Sequence, residues 1–203
     1  MTTRPARRLT AAAGIAALAL LISSCGSQDD PVAQPTPSST APTTSAPASS
    51  SVVPVSAEDQ AVSEATEAVS AFYAAIDRIN ADPESDPDTL RDVTSGDAYL
   101  AQVRMAVQMK ARGLTQIGNG QVVDATAFSI DLTTDTATNP PKYPTVVMDV
   151  CLDVSEVNVV DAEGKSAVPA TRLAQTTARL DVVEFDFGWR VNQIASSGEP
   201  CEL

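Results

Sequence analysis

The spacing of apolar residues predicts one long amphipathic helix near the start of the folded part of the chain. Between Ser56 and Ile79 large or small apolar residues recur every three or four positions, which places them on one stripe of a helix. The stripe consists of Val62, Ala65, Val69, Phe72, Ile76 and Ile79. Ser56 followed by Asp59 resembles a capping box and predicts where the helix begins.

Two shorter helices are predicted after the long one. The acidic, proline-containing residues 82–88 end the long helix and cap a short helix near residues 90–93. Residues 94–97 then start a third helix that stops at Gly113. Its inward-facing residues are expected to be Leu100, Val103 and Val107.

After Gly113 the pattern changes to strands rich in Val, Thr and Ile, separated by Gly, Asn, Asp and Pro. The predicted strands are residues 114–123, 125–132, 145–154, 172–183 and 189–195. The third alternates most clearly, with Val146, Met148, Val150, Leu152 and Val154 on one face. Residues 186–188 predict a tight hairpin. Helices followed by strands indicate an α+β fold with an antiparallel sheet.

The N-terminus has the layout of a secretory signal. Arg4, Arg7 and Arg8 precede an apolar stretch from Leu9 to Ile22, about 14 residues long and too short to span a bilayer. The sequence Ile22-Ser23-Ser24-Cys25 resembles the lipobox of bacterial lipoproteins. The cysteine of a lipobox is acylated, and the signal peptide is then cut immediately before it. We therefore expect a signal peptide over residues 1–24 and lipidation of Cys25. The alternative is a plain secretory signal with an incidental cysteine.

A tether is predicted between the lipidated cysteine and the folded domain. Residues 25–57 are rich in Ser, Thr, Pro and Ala and offer almost nothing large to bury, which is typical of disordered segments. A flexible coil of this length spans about 30 Å. The folded domain is then residues 58–203, on the extracytoplasmic face of the cell membrane.

Charge and composition exclude several classes of function. The formal charge of the chain is −13, and removing the three arginines of the signal leaves −16 on the mature protein. So acidic a chain disfavours nucleic acid and anionic membrane surfaces as partners. The absence of histidine removes the commonest general base and the commonest transition-metal ligand. We expect no cofactor and no metal.

The two remaining cysteines predict a disulfide. Cys151 and Cys201 lie in an exported and therefore oxidising compartment, which favours pairing between them. Cys151 lies on the polar face of its strand, so the bridge is expected to hold the C-terminal tail across the outside of the sheet. A reactive thiol is the alternative, but no histidine or basic cluster is present to activate it.

The order of elements resembles the NTF2-like fold, a cone of N-terminal helices packed on a curved antiparallel sheet. The resemblance depends on Phe72-Tyr73 in the long helix, the helical pair after it, and the closing Gly188-Trp189-Arg190-Val191 strand. Residues 113–120, 150–153 and 161–164, with the terminal Cys201, are similar more narrowly to NTF2-like lipoproteins of high-G+C Gram-positive bacteria. These motifs indicate the fold far better than they indicate the function.

The resemblance suggests where catalytic groups would lie. Ketosteroid isomerases and dehydratases of this fold place carboxylates, tyrosines or histidines inside the cone. Chemically admissible residues here are Tyr73, Tyr99, Asp77 and Asp131, and Trp189 is a candidate for lining a pocket. None forms a recognised motif, and core packing of the aromatic residues is the competing interpretation.

Two further sets of carboxylates are interpreted as structural. Asp149 and Asp153 share the outer face of their strand, where we expect solvated side chains. The run Asp82, Glu84, Asp86 and Asp88 has the alternate oxygens of a calcium loop. Pro87 and Val93 occupy the positions that such a loop reserves for glycine and glutamate, so no calcium site is predicted.

These observations favour a non-catalytic, membrane-anchored interaction domain that binds a protein or a cell-envelope partner as a monomer. The first alternative is a small-molecule-binding or isomerase-like NTF2 domain. A further alternative is a prophage-type lipoprotein that excludes superinfecting phage. A filled interior would favour the interaction domain, whereas an open apolar cavity with buried carboxylates or tyrosines would favour the ligand-binding alternative.

Overall fold

The computed structural model describes residues 54–201, and within this range the chain forms two α-helices, a 3₁₀ helix and six strands. Their bounds are α1 Ala57–Ala81, the 3₁₀ helix Pro87–Asp92, α2 Gly96–Ala111, β1 Thr115–Ile117, β2 Gln121–Asp131, β3 Thr145–Asp153, β4 Asn158–Val160, β5 Gln175–Phe185 and β6 Gly188–Ser196. The predictions for the signal peptide, for Cys25 and for the tether as far as residue 53 lie outside the described residues. In the described part of the chain, no helix combines the length and the apolar character needed to cross a bilayer.

Helix α1 forms as its sequence pattern predicts. The Ser56 side chain accepts a hydrogen bond from the Asp59 backbone N–H at 3.0 Å, and two acidic residues in the first turn complement the helix dipole. The buried face is Ala61, Ala65, Val69, Phe72, Ala75 and Ile79. Three of these six buried residues are alanines. Val62 and Ile76 of the predicted stripe are partly buried and pack against the core.

Four strands form the main antiparallel sheet, in the order β2-β3-β5-β6, and β1 pairs with β4 in a separate two-stranded sheet. The predicted alternation of β3 is confirmed from Val146 to Val150, because Val146, Met148 and Val150 are buried on the inner face, whereas Leu152 is half-buried and Val154 lies beyond the end of the strand. The register partners of the three buried residues on β5 are Val182, Leu180 and Ala178, also buried. Helix α1 packs on this face, and the arrangement of helices on one antiparallel sheet confirms the α+β prediction.

The predicted inward face of α2 is wrong. Leu100 and Val107 are 58% and 53% exposed and Val103 is half-buried, whereas Ala98 and Ala106 are buried. Small alanine side chains let the helix lie close to its neighbours: Ala98 joins the main core, and Ala106 joins a second cluster with Ala75, Ile79 and Leu90.

Polar contacts fix the rotation of α2 about its axis. The Tyr99 hydroxyl donates to Asp88 at 2.8 Å, and the Lys110 ammonium donates to the carbonyl of Ser85. Both partners lie in or just before the 3₁₀ helix. Turning Leu100 and Val107 inward would break these contacts and separate the alanines from the core.

The boundaries of the first two strands also differ from prediction. The predicted segment 114–123 is interrupted at Gly118, whose φ of +76° is a left-handed conformation and whose added Cβ would meet the Glu156 carbonyl oxygen at 2.0 Å. Strand β2 then continues through Asp124, because that polar residue lies opposite Cys151 on the outer face beside a β-bulge. Strand β4 was not predicted.

The hairpin between β5 and β6 is confirmed. Phe185 pairs with Gly188, leaving Asp186 and Phe187 as the turn. Gly188 has a φ of +100°, which a residue with a side chain rarely adopts.

Candidate functional site

The space between α1 and the sheet is filled by large apolar side chains. Phe72, Met148 and Leu180 are fully buried there, together with five buried valines. The five valines are Val69, Val146, Val150, Val182 and Val191. Three concavities along residues 54–201 are open at the surface. None of these three is an enclosed apolar chamber of the kind that the isomerase-like alternative requires.

Trp189 packs in the core and does not line a cavity. Its ring is almost fully buried, and its indole N–H donates to Glu64 Oε2 at 2.8 Å. Gln60 donates to the other carboxylate oxygen of Glu64 at 2.9 Å. These hydrogen bonds, from Gln60 and then from Trp189, hold the pKa of Glu64 below its ordinary value of 4.5.

We expect the Glu64–Trp189 contact to weaken only in acid. Because folding lowers the pKa of Glu64, its ionised carboxylate stabilises the folded protein above pH 4.5. This stabilisation is lost as the pH falls through the pKa that Glu64 has in the folded state. The emission of Trp189, the only tryptophan in the chain, should therefore change in a step below pH 4.5. Glu64→Gln should remove this step, while Glu67→Gln, an exposed position on the same helix, should leave it in place. A step unchanged in Glu64→Gln would contradict the assignment.

Tyr73 and Asp77 share an open cleft of about 520 Å³ between α1 and the start of β2. Burial raises the pKa of Tyr73 to about 12, so its hydroxyl stays protonated. Burial also raises the pKa of Asp77, although hydrogen bonds from Gln116 and Gly120 oppose the shift. Of the four residues that were chemically admissible as catalytic groups, only these two line the same cleft.

The contacts of Asp77 indicate a structural role. One carboxylate oxygen accepts from the buried Gln116 amide at 2.6 Å, and the other accepts from the Gly120 backbone N–H at 3.0 Å. The Gln116 amide also donates to the Gly118 carbonyl at 3.1 Å, and Asn80 donates to the Gln116 carbonyl oxygen at 3.3 Å. Both oxygens of Asp77 are thus used to fix the turn between β1 and β2.

Removing this carboxylate should destabilise the domain. Asp77→Ala leaves the buried Gln116 amide and the Gly120 N–H without their acceptors, which costs about 2 kcal/mol. Asp77→Asn keeps one acceptor oxygen and should cost less. Urea unfolding measures both, with Ser70→Ala on the wall of the same cleft as a control expected within about 0.5 kcal/mol of wild type. An Asp77→Ala variant as stable as the control would contradict this role.

Tyr99 and Asp131 lie away from this cleft. Tyr99 bonds to Asp88 at 2.8 Å, and the Arg91 guanidinium lies over its ring at 4.3 Å from the centroid. Asp131, at the end of β2, pairs with Lys142 at 2.8 Å. The hydrogen bonds from Lys142 and Thr133 hold the pKa of Asp131 well below its usual range. The four residues that were chemically admissible as catalytic groups therefore do not converge on one site.

The acidic run before α2 caps backbone turns. Asp82 accepts from the Glu84 backbone N–H at 2.9 Å, and Asp86 accepts from the Asp88 N–H at 3.0 Å at the start of the 3₁₀ helix. Within residues 54–201, no three His, Cys, Asp or Glu side chains are grouped closely enough to hold a metal ion.

The outer face of the sheet carries a charge pair beside an exposed aromatic ring. Arg179 donates to both oxygens of Asp149, with Nε at 2.7 Å and Nη2 at 2.8 Å. The guanidinium of Arg179 lies 3.6 Å from the centroid of Phe128, whose side chain is 61% exposed. The register of the strands aligns Asp149 and Arg179 with Thr126 on β2 and Ala195 on β6.

The side chain of Asp149 is solvent-exposed, as expected, and is in addition paired with Arg179. The hydrogen bond from Arg179 lowers the pKa of Asp149 and raises that of Arg179. The charge of Asp149 is therefore compensated, and it offers no repulsion against a partner on this face. Asp153 accepts from Gln175 at 2.9 Å and from Ser155, which lowers its pKa to about 2.

The C-terminal tail crosses the outer face and completes a groove there. Cys201 forms a disulfide with Cys151 on β3, and the tail before it exchanges backbone hydrogen bonds with Thr177 on β5. A concavity of about 800 Å³ lies between the tail and the sheet. We call it the outer groove; its lining includes Asp149, Thr177, Arg179, Ala195, Glu199 and Pro200. Sequence reasoning missed Phe128 and Arg179, because they meet only through the register of strands that are distant in sequence.

Comparison with known proteins does not show a family for this chain. No protein-family model matches it, and no curated protein matches it. Among solved structures, the intermembrane space region of the chloroplast protein ARC6 aligns with a TM-score of 0.45 at 14% identity, covering 66% of this chain and 95% of that one. A protein described as an aromatic ring hydroxylase from Novosphingobium aromaticivorans aligns with a TM-score of 0.38 at 12% identity, covering 68% and 94%. Likeness at this level says nothing about function.

Proposed function

We propose that this protein is a membrane-anchored extracytoplasmic lipoprotein with a non-catalytic NTF2-like domain that binds a protein partner through the outer groove of its sheet. The observation that carries the proposal is the filled interior. Enzymes and carriers bind small molecules in concave apolar chambers with a few polar groups. Here Phe72, Met148 and Leu180 occupy the space where such a chamber would lie, so recognition is left to the surface.

The outer groove has the properties of a protein-binding surface. Arginine and aromatic residues dominate the energetics of protein interfaces when they are held in place before binding. The two hydrogen bonds from Arg179 to Asp149 fix the guanidinium, so little side-chain entropy is lost when a partner arrives. Phe128 supplies exposed apolar area next to it, and the concavity beside them can accept a protruding side chain of the partner.

The membrane anchor in this proposal is Cys25. The lipobox-like residues before it and the short apolar segment preceding them support acylation at this sulfur. Two or three acyl chains hold a protein on a bilayer essentially permanently, since each buried CH₂ contributes about 0.8 kcal/mol. The tether then keeps the domain close to the membrane surface.

The anchor is tested by metabolic labelling. Radiolabelled palmitate should enter the wild-type chain and should not enter Cys25→Ala. The wild-type protein should sediment with membranes after a salt wash, whereas Cys25→Ala should be released. A wild-type chain that takes up no label would overturn the anchor.

The binding surface is tested by site-specific photo-crosslinking in intact cells. A benzophenone amino acid at position 128 should give a discrete protein adduct that is lost in the Arg179→Ala variant. The matched control is the same amino acid at position 187, since Phe187 is also an exposed phenylalanine, 64% exposed on the hairpin between β5 and β6. Absence of an adduct from position 128, or the same adducts from both positions, would contradict the proposal.

A further inference from the structure

Within residues 54–201, the longest stretch of sequence without an acidic residue runs through helix α2. Residues 98–123 contain no Asp or Glu, although the whole chain has 26 acidic residues. The same segment contains Arg104, Lys110 and Arg112. Of the nine large apolar side chains that are exposed within residues 54–201, five lie in this segment. These five are Leu100, Met105, Val107, Ile117 and Val123.

Most of these exposed apolar and basic residues lie on one side of helix α2. Its buried side consists of alanines packed on the core, so its larger apolar residues Leu100, Met105 and Val107 lie in solvent. Arg104 and Arg112 are exposed among them and form no ion pair with any residue of the described range 54–201. We call this side of α2, from Leu100 to Arg112, the basic helix face.

The acidic neighbours of α2 lie in its first turn and in the segment from Asp82 to Asp88 that precedes it. Asp97 is in the first turn, and Asp88 of the 3₁₀ helix is held by the hydroxyl of Tyr99. The ammonium of Lys110 donates to the Ser85 carbonyl, so this acidic segment also reaches the C-terminal end of the helix beside Lys110. The last three turns of α2 itself carry no acid, so the residues that form the basic helix face are apolar or positively charged.

Exposed apolar residues interleaved with arginines are typical of helices that lie in the interface of an anionic bilayer. The apolar side chains enter the headgroup region, while the arginines pair with phosphates. A second copy of this chain is a poor occupant, because two basic helix faces would bring Arg104 and Arg112 of each copy together with no acid between them. The net charge of the whole chain disfavours anionic surfaces, but the local charge of this face is positive and complements an anionic lipid surface.

We propose that the basic helix face docks on the anionic surface of the membrane that carries the lipid anchor. The inference rests on the proposed anchor at Cys25. A chain of about 30 residues spans roughly 30 Å, which is twice the radius of gyration of about 15 Å that a domain of this size has. The anchored domain stays within reach of the bilayer, so a weak contact is sufficient because its effective concentration is high.

Docking in this way sets the orientation of the domain. Helix α2 belongs to the layer that covers the inner face of the sheet, while the outer groove lies on the opposite face. With the basic helix face on the bilayer, the outer groove points away from the membrane and stays open to a partner.

The experiment places a tryptophan at the contact and a quencher in the bilayer. The full lipidated chain carrying Val107→Trp is reconstituted on vesicles of brominated phosphatidylcholine, with or without a fraction of phosphatidylglycerol. The control is Phe187→Trp, an equally exposed position on the β5–β6 hairpin. We expect strong quenching at position 107 on anionic vesicles, little on zwitterionic vesicles, and little at position 187 on either.

Removing the arginine charges and raising the salt concentration test the electrostatic contribution to docking. Each arginine near an anionic surface strengthens binding about fivefold, so Arg104→Gln with Arg112→Gln should lower the docked-to-undocked ratio by more than tenfold. Salt at about 0.5 M should reduce quenching through screening. Quenching that is equal at positions 107 and 187, or that is absent from position 107 while the protein floats with the vesicles, would overturn the inference and leave the anchor intact.

Flotation separates this inference from the proposed function. If the wild-type chain carries no lipid and position 107 is still quenched at high concentrations of anionic vesicles, the face binds membranes and the anchor is wrong. If the chain neither floats nor is quenched, both are overturned. If soluble polyglutamate shifts the emission of Val107→Trp and vesicles do not, the face binds an acidic protein and the membrane assignment is wrong.

Discussion

Cys201→Ser should lower the free energy of unfolding of the domain by about 4 kcal/mol. The disulfide with Cys151 closes a loop with a sequence separation of 50 residues, and in the chain-entropy model such a cross-link restricts the unfolded chain by about this amount. For a domain of this size the loss corresponds to a melting temperature lower by roughly 12 °C. Urea unfolding at equilibrium measures the difference directly.

The reductant provides the control for this prediction. Wild-type protein unfolded in the presence of a reducing agent should match Cys201→Ser, while the variant itself should be indifferent to the reductant. Wild-type protein in which either cysteine reacts with an alkylating agent before reduction would contradict the pairing. A variant with the wild-type midpoint would show that the bridge does not restrict the chain.

The same substitution bears on binding. The tail forms one wall of the outer groove and is held by the disulfide and by backbone hydrogen bonds to Thr177. Releasing Cys201 leaves only those hydrogen bonds at an exposed chain end, where fraying is favoured. We therefore expect the photo-crosslink from position 128 to weaken in Cys201→Ser at temperatures where the domain is still folded.

Helix α1 could be predicted from the sequence because its signals are local and repeated. Six apolar positions over about five turns agree on one stripe, and Ser56 fixes the first turn through its own side chain. No tertiary contact is needed to see either signal. The strand β3 is similar, since its alternation between Val146 and Val150 depends only on the period of the backbone.

Helix α2 could not be predicted in the same way. Leu100, Val103 and Val107 form a regular stripe, but the only residues of the helix that the core buries fully are alanines. The rotation of the helix is decided by partners such as Asp88 and Ser85, which its own periodicity does not contain. The exposure of Leu100 and Val107 therefore cannot be predicted from a pattern analysis in which apolar residues are taken to face inward.

The outer groove depends on contacts that are distant in sequence. Arg179 meets Asp149 across 30 residues, and Phe128 reaches the guanidinium from a third strand beside a β-bulge. A register shift of one residue would turn these side chains to the other face. The sequence shows the residue types, whereas the pairing of β2, β3 and β5 is needed to bring them together.

The filled interior predicts the cost of emptying it. Phe72→Ala should lower the free energy of unfolding by about 4 kcal/mol, because the ring is fully buried between α1 and the sheet and its removal leaves a cavity. Phe128→Ala is the matched control: it deletes an equal side chain from an exposed position, and we expect a change within about 0.5 kcal/mol. Urea unfolding of both variants gives the comparison.

A small apolar ligand separates a filled interior from a cavity that is already present. Benzene should raise the melting temperature of Phe72→Ala, since a dry apolar cavity of that size binds it, and should leave the wild-type protein unchanged. If benzene stabilises the wild-type protein as well, or if Phe72→Ala is no less stable than Phe128→Ala, the interior already holds usable space. The small-molecule-binding alternative would then replace the interaction domain, because a chamber beside Tyr73 could take a ligand that the packed core excludes.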